Sequence, residues 1–359
     1  MSGHSKKMLK KLEQFLFYFL FFAIPLQTRK ILYSSGWYYN EWQSISVYAT
    51  DLILLVLFTF WAVDKRHRKS FIHRHDYFLL GFLVAAAISI KNSSDFYVGA
   101  FLWLKLVEFA LLYFYLKMYA IRRFDFVKIL YALIAGGVFQ AVIAIAQFLK
   151  QSDLGLRWLG ESVLSSHVTG VASFFVDSGE KIMRAYGTTP HPNILATYLF
   201  LAIFAFYFIH IYPNKHNKRY DIMIYHTASR FWWVWYSLLL FGLFFTFSRV
   251  VIFLLFLNFA VRTILIRLKF REEFWNKRIA LLFSVTLIVI GIFLLFYWSE
   301  VLSRMTISSE EEAVQLRMFY NREALGGGLN LFGIGLGDFT GWLMEQNPNL
   351  PRHVYQPVH

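Results

Sequence analysis

Charged and hydrogen-bonding side chains gather in one short polar segment, Arg184–Asn193, which leads directly into an apolar stretch. The segment reads Arg-Ala-Tyr-Gly-Thr-Thr-Pro-His-Pro-Asn, so a cation, an imidazole and an amide lie close together. Its glycine and prolines predict turns rather than a helix. We therefore expect the chemistry of this protein in a cationic, turn-rich segment at the edge of an apolar element.

A second arginine, Arg249, interrupts an apolar run of 36 residues, 231–266. A run of this length is too long for one membrane-spanning helix, so it predicts two helices that meet at Ser248–Arg249. One interpretation is a hairpin tip whose arginine reaches the phosphates of lipid headgroups. The other is a ligand site, which requires a second cationic group beside Arg249.

The composition is that of an integral membrane protein. Of the 359 residues, 57% are hydrophobic and 20% are aromatic, whereas only 16% are charged. Apolar runs of about 17–23 residues recur along the chain, and each can cross ~30 Å of hydrocarbon as a helix. We therefore predict an all-α, polytopic fold in a single membrane domain, 1–359. The nine predicted spans are approximately 12–27, 45–63, 76–90, 98–117, 127–149, 193–211, 231–247, 250–267 and 279–298.

The distribution of basic residues predicts the orientation of these helices. The net charge is +14, but 23 of the 36 lysines and arginines lie at the N-terminus and in alternate connecting segments. This pattern indicates membrane topology rather than nucleic-acid binding, with a cytoplasmic N-terminus and an extracytoplasmic chain after Trp298. Arg184 and Arg249 then share the extracytoplasmic face. A pair of guanidinium groups suits a pyrophosphate, which predicts a lipid-linked diphosphate as ligand.

Two large extracytoplasmic loops are long enough to form a site, 150–192 and 299–359. The first contains an apolar stretch, Leu154–Phe175, that is broken by glycines and is typical of a segment lying on the bilayer surface. Aromatic residues in these loops could stack on sugar rings, although aromatics are common at membrane interfaces. They are Trp158, Trp342 and Tyr355.

Several kinds of site are excluded. The chain has no cysteine, which excludes disulfides, thiolate metal sites and thiol nucleophiles. Its histidines have no metal-ligand spacing. The motif Gly333-Ile-Gly-Leu-Gly337 lacks the strand-and-helix order of a dinucleotide site. We therefore expect neither a metal nor a cofactor.

Four motifs occur in a recognisable order. They are Arg184–Asn193, Thr246-Phe-Ser-Arg249, Arg317 ahead of Phe332-Gly-Ile-Gly-Leu-Gly337, and the terminal Val358-His359. In this order and topology the chain resembles the O-antigen ligase and polymerase superfamily. The resemblance implies a glycosyltransferase of cell-surface polysaccharide (lipopolysaccharide) synthesis in the bacterial cytoplasmic, or inner, membrane. Such enzymes pass a glycan from an undecaprenyl-pyrophosphate carrier to an acceptor hydroxyl at the outer face, without a metal.

The resemblance also implies a role for each motif. The expected pyrophosphate-binding residues are Arg184, Arg249 and Arg317. His359 is the expected catalytic residue, and an imidazole with an ordinary pKa of about 6.5 can deprotonate the acceptor hydroxyl. The expected supporting residues are His191, Asn193 and Ser248. An alternative role for Asn193 is only to cap the helix that begins at Ile194.

The ligase-related core is expected over 193–359, and full-length family members have about twelve membrane helices. In the family an Asn or similar residue follows the catalytic histidine, but His359 is the last residue of this sequence. We therefore expect the sequence to be a fragment of an active enzyme, which can be inactive by itself.

Other interpretations stay open from the sequence. The acceptor can be a lipid A core, a second carrier-linked glycan or a protein hydroxyl. A transporter or flippase for a lipid-linked anionic glycan would also use paired arginines at helix ends, but it would bind without turnover. Inside the predicted spans, Lys105 and Glu108 are expected to neutralise each other, whereas Asp51 has no obvious partner.

Overall fold

A computed structural model describes residues 3–35, 40–64, 73–176, 178–211, 231–269, 277–305, 312–326 and 333–356. The chain forms two compact units. The first unit comprises Met1–Thr28 and Asp125–Thr306, and the second comprises Arg29–Phe124 and Ile307–His359. The prediction of a single membrane domain stays a prediction.

The described residues are mostly helical, with two short pairs of strands. The helices are α1 (Gly3–Ala23), α2 (Ala49–Val63), α3 (Asp76–Ser89), α4 (Phe96–Tyr115), α5 (Phe126–Lys150), α6 (Pro192–Ile211), α7 (Trp232–Phe245), α8 (Arg249–Lys269), α9 (Lys277–Met305), α10 (Glu312–Gly326) and α11 (Phe339–Gln346). The strands are β1 (Arg29–Ser34), β2 (Ser44–Tyr48), β3 (Ser173–Phe175) and β4 (Lys181–Met183).

Each of the nine predicted spans overlaps one of the helices α1–α9. Among the described residues, four helices are long and apolar enough to cross a membrane. Those four are Phe96–Arg123, Phe126–Lys150, Pro192–Ile209 and Ala280–Met305. The mainly helical fold is confirmed, whereas the crossing of a membrane by all nine helices stays a prediction.

The two strand pairs were not predicted, and they correct the all-α assignment. Strand β1 pairs antiparallel with β2, and β3 pairs antiparallel with β4. The second predicted span began at residue 45, but its first four residues belong to β2 and the helix begins at Ala49. In β2 the apolar Ile45 and Val47 alternate with serines, a period of two that a hydropathy window averages away.

The core of the first unit lies among α5, α6, α7, α8 and α9. Small residues let α5 and α7 approach closely, because a β-carbon added at Gly242 would lie only 2.7 Å from that of Ala141. Aromatic rings fill the end of this core towards the α7–α8 connection. Phe148 stacks on Phe245 with ring centroids 4.3 Å apart, and Phe245 meets Phe293 edge-on at 5.4 Å. This rigid end carries the arginines that the sequence singled out.

The second unit pairs charges inside its helices. Lys105 on α4 donates to Glu108 Oε2 at 3.0 Å, as predicted, and it also forms an ion pair with Asp51 on α2. The expectation that Asp51 has no obvious partner was therefore wrong, because the partner lies on another helix. Lys117 likewise donates to Asp76 Oδ2 at 2.6 Å. Carboxylates that accept such bonds offset much of the cost of placing charge among apolar helices.

Candidate functional site at the α7–α8 helix break

The predicted break in the long apolar run is present. Helix α7 ends at Phe245 and α8 begins at Arg249. Between them Phe247 adopts a left-handed φ of 45°, which interrupts the helical path of the chain. The Thr246 hydroxyl stabilises the turn, because it donates to Leu243 O at 2.6 Å and accepts from Ser248 N–H at 3.3 Å. Ser248 is buried, and its carbonyl accepts the first helical bond of α8 from Ile252 N–H.

Arg184 joins the polar segment Arg184–Asn193 to this break. Its side chain is nearly buried, with 7% relative exposure. Its Nε donates to Thr246 O at 2.6 Å, and its Nη2 donates to Asn193 Oδ1 at 2.6 Å. The neighbouring Ala185 N–H donates to Phe245 O at 3.0 Å. Arg184 therefore fixes the start of α6 to the end of α7.

The start of α6 is capped by His191 rather than by Asn193. The His191 Nδ1 accepts from Asn193 N–H at 3.2 Å, and the His191 carbonyl accepts from Ile194 N–H at 3.0 Å. The helix begins at Pro192, whose fixed φ and missing N–H suit the first helical position. The capping alternative for Asn193 was thus wrong, because its side-chain oxygen accepts from Arg184 instead.

Arg249 lies in the first turn of α8 and contacts the end of α9. Its Nη1 donates to Arg304 O at 3.3 Å. The Arg304 guanidinium carbon lies 5.4 Å from the ring centroid of Phe174 on β3, a cation–π distance. Phe174 in turn packs on Phe247 of the break, with centroids 4.9 Å apart. We call Arg184, Arg249 and Arg304 the arginine cluster, because Arg184 bonds to the turn 246–249, Arg249 belongs to it, and Arg304 accepts a bond from Arg249.

Arg304 was not predicted. The predicted span stopped at residue 298 because hydropathy falls at Ser299-Glu300, but α9 continues to Met305 after non-helical dihedrals at Tyr297. The signal was a helical period, since Tyr297, Val301 and Arg304 recur on one face. Tyr297 and Val301 pack against the core of the first unit. That face carries Arg304 to the break.

Two helix N-termini lie at the break. The N-termini of α6 and α8 both lie at residues that contact the cluster, and unpaired N–H groups give a helix N-terminus a partial positive charge. Arg184 and Arg249 donate to two carbonyl oxygens and an amide oxygen here. These bonds orient the two guanidinium groups at the break.

Two glutamines of α5 hold the polar segment from behind. Gln147 Oε1 accepts from Gly187 N–H at 2.8 Å and from Tyr186 N–H at 3.1 Å, while its Nε2 donates to Gly187 O at 2.8 Å. Gln140 exchanges two bonds with Thr188 in the same manner. Both glutamines are fully buried. Their spacing of seven residues on an apolar helix was the signal that could have identified them.

The hydrogen bonds from the two glutamines leave the segment Arg184–Asn193 little conformational freedom. Gly187 has φ of +61°, and a β-carbon there would lie 2.4 Å from Gln140 Oε1, so no other residue fits without rearrangement. Glu161 is buried and accepts from Gln147 Nε2 at 2.6 Å. Burial raises the pKa of Tyr186, whose hydroxyl accepts from Ala172 N–H at 2.6 Å. The polar segment is therefore a preorganised element.

The remaining predicted residues fall elsewhere. Arg317 is exposed on α10 of the second unit, and His359 lies outside the described residues. The structure thus brings together Arg184, His191, Asn193, Ser248 and Arg249 from the predicted set. Within the described ranges, no three side chains of metal-ligand type come together as a metal site.

Comparison with known proteins adds no relative: no protein-family model, curated protein or solved structure matches this chain.

The coupling between Arg184 and Asn193 is testable by a double-mutant cycle. Arg184→Lys cannot reproduce both bonds of the guanidinium, and Asn193→Ala removes one acceptor. Each change should reduce the free energy of unfolding in mixed micelles by about 1–3 kcal/mol. The double variant should lose less than the sum of the two, with a coupling of ~0.5–3 kcal/mol. Strict additivity would show that the contact is energetically unimportant.

The role of Gln147 predicts a larger loss. Gln147→Leu keeps the size of the side chain but leaves the buried N–H groups of Tyr186 and Gly187 without their acceptor. We expect about 3 kcal/mol or more of destabilisation, measured by thermal and denaturant unfolding in detergent. Gln315→Leu on α10, where the side chain is exposed, is the matched control and should change stability by less than ~0.5 kcal/mol.

Proposed function

We propose that this chain belongs to a membrane glycosyltransferase of the O-antigen ligase and polymerase type. The enzyme would transfer a glycan from an undecaprenyl-pyrophosphate carrier to an acceptor hydroxyl at the outer face of the bacterial inner membrane. The observation that carries the proposal is the arginine cluster at the α7–α8 break. Hydrogen bonds orient Arg184 and Arg249 at this break, where α6 and α8 also begin.

The proposed chemistry is a displacement at the anomeric carbon of the donor sugar. The acceptor oxygen forms a bond to that carbon while the bond to the diphosphate oxygen breaks, which inverts the anomeric centre. The acceptor proton passes to a general base, for which the resemblance names His359. The diphosphate leaves with additional negative charge. Arg249 and Arg304 would stabilise that charge, and this is the main contribution that the protein can make to such a step.

Arg184 takes a different part in this proposal from the one that the sequence suggested. Because its side chain is 7% exposed and holds Asn193 and Thr246, it is best understood as a positioning residue for Arg249. Arg317 keeps its proposed contact with the pyrophosphate only through the resemblance. His191 and Ser248 support the site through the backbone of α6 and α8.

The proposed topology follows the basic residues and the apolar helices. All nine helices α1–α9 would cross the bilayer, with the N-terminus in the cytoplasm and the arginine cluster on the outer side. A polyprenyl chain could then lie in the bilayer while its diphosphate reaches the cluster at the bilayer surface. The acceptor, whether lipid A core, glycan or protein, is left open by this argument.

Loss of the Arg249 side chain should abolish transfer. In proteoliposomes with an undecaprenyl-diphosphate-linked glycan, Arg249→Ala should reduce the release of undecaprenyl diphosphate by at least about a hundredfold. Membrane insertion and unfolding temperature should remain near wild type. The matched control is Arg157→Ala, an exposed arginine of the first unit outside the cluster, which should retain activity.

The same assay separates an enzyme from a transporter. A transporter would move the lipid-linked glycan across the bilayer without cleaving the bond between sugar and diphosphate. Translocation of intact donor by the wild-type protein, with no release of undecaprenyl diphosphate in the presence of acceptor, would replace the proposed function by that alternative. The assay requires the full-length protein in its natural membrane topology.

Introducing a negative charge at the amide partner gives a sharper test of the electrostatic argument. Asn193→Asp keeps the shape of the side chain and should strengthen the bond to Arg184, so stability should rise or stay unchanged. The new carboxylate also offsets one positive charge of the cluster. We expect farnesyl diphosphate to bind about tenfold more weakly, measured by calorimetry in nanodiscs, although the protein is at least as stable. Unchanged affinity would argue against an anion site here.

A further inference from the structure

The second unit contains a cavity, and none of its lining residues was assigned to the site from the sequence. Its volume is about 380 Å³, within the ~300–1,000 Å³ typical of small-molecule sites. Two chain segments form it, the turn after residue 40 and the last described turn near residue 354. The lining residues are Asn40, Glu41, Trp42, Arg352, His353, Tyr355 and Gln356.

The walls of the cavity are fixed by buried hydrogen bonds. The Asn40 side chain, with 8% exposure, donates from Nδ2 to Tyr355 O at 3.1 Å and accepts from Trp42 N–H at 2.9 Å. It therefore ties the two segments together and holds the backbone of Trp42. Tyr355 donates its hydroxyl to Asn347 O at 2.7 Å, and Tyr320 donates to Val354 O at 2.6 Å.

The carboxylate of Glu41 is held by a second pair of contacts. Arg29 on β1 forms an ion pair with it and donates to the Tyr48 hydroxyl at 2.9 Å. Burial by itself would lower the pKa of Arg29, but the charge of Glu41 and the hydrogen bonds raise it above its ordinary value. Arg29 thus stays protonated, and Glu41 stays an oriented hydrogen-bond acceptor at the cavity.

The aromatic component is Trp42 rather than the aromatics that the sequence suggested. Trp42 lines the cavity and is 43% exposed, so part of its side chain is accessible to a ligand. Tyr355 is only 4% exposed and serves as a wall. An accessible indole beside carboxylate, imidazole, guanidinium and amide groups is a suitable set of contacts for a pyranose ring. The C–H face of the sugar packs on the aromatic ring, and the sugar hydroxyls form hydrogen bonds with the planar polar side chains.

We propose that this cavity binds a short segment of oligosaccharide, with Trp42 as the stacking residue and Glu41 and His353 as hydrogen-bonding partners for sugar hydroxyls. The inference rests on the proposed function, since it gives the glycan of the transfer reaction a place on the second unit. The charged side chains of Glu41 and Arg352 in the lining disfavour an acyl chain. An acidic residue in the cavity also disfavours nucleic acid.

The experiment measures two ligands separately on the full chain in nanodiscs. Short free oligosaccharides built from hexoses, 6-deoxyhexoses and N-acetylhexosamines probe the cavity, and farnesyl diphosphate probes the arginine cluster. Trp42→Ala should weaken binding of the oligosaccharide that binds the wild type by about tenfold and leave farnesyl diphosphate binding unchanged. Arg249→Ala should show the opposite pattern. Trp235→Ala, with a similar exposure of 46%, is the matched control and should bind both ligands normally.

A second pair of variants distinguishes the loss of a ligand contact from misfolding of the protein. Trp42→Tyr keeps an aromatic ring and should recover most of the affinity, whereas His353→Gln should weaken binding several-fold with an unchanged unfolding temperature. Failure of the wild type to bind any of these oligosaccharides at millimolar concentration would overturn the inference, as would wild-type affinity in a folded Trp42→Ala variant. Neither result would affect the diphosphate measurement, which tests the proposed function independently.

Discussion

A helix that ends among apolar side chains must satisfy the carbonyl groups of its last turn, and this requirement governs the first unit. At the end of α7 the carbonyl of Phe245 accepts from Ala185 N–H, and that of Thr246 accepts from the Arg184 guanidinium. An unsatisfied buried carbonyl costs about 1–3 kcal/mol, so a donor segment beside the break stabilises it. The polar segment Arg184–Asn193 is that donor. Stability of the break and placement of the cationic residues therefore depend on the same bonds.

The donor segment in turn depends on polar groups inside α5. Gln140 and Gln147 satisfy the backbone of residues 186–188, which has no helix or strand partner of its own. Fully satisfied buried networks of this kind specify one arrangement, because any shift leaves several groups unpaired at once. The order of dependence runs from the glutamines to the segment, then to Arg184, and finally to the turn that carries Arg249.

The helices and the break were predictable from sequence because hydropathy and length are local properties. The position of the break at Ser248–Arg249 followed from an apolar run too long for one span. The sequence could not predict which side chains of different helices and loops contact one another. The partners of Asp51 and Arg184, the use of His191 as a cap, and the arrival of Arg304 at the break all join residues whose proximity only the fold creates. The β1–β2 hairpin was missed for another reason. Apolar and polar residues alternate in β2, and a hydropathy average over a helix-length window hides that alternation.

The charged side chains of the two units are held by different kinds of contact. In the second unit Lys105 and Lys117 are bonded to carboxylates, and such ion pairs offset part of the cost of placing charge among apolar helices. In the first unit Arg184 and Arg249 donate to carbonyl and amide oxygens, and these bonds fix the direction of each guanidinium group. A guanidinium group that is already oriented loses less side-chain entropy when it binds a phosphate. Under the proposed function, this orientation at the break is what would prepare the site for a diphosphate.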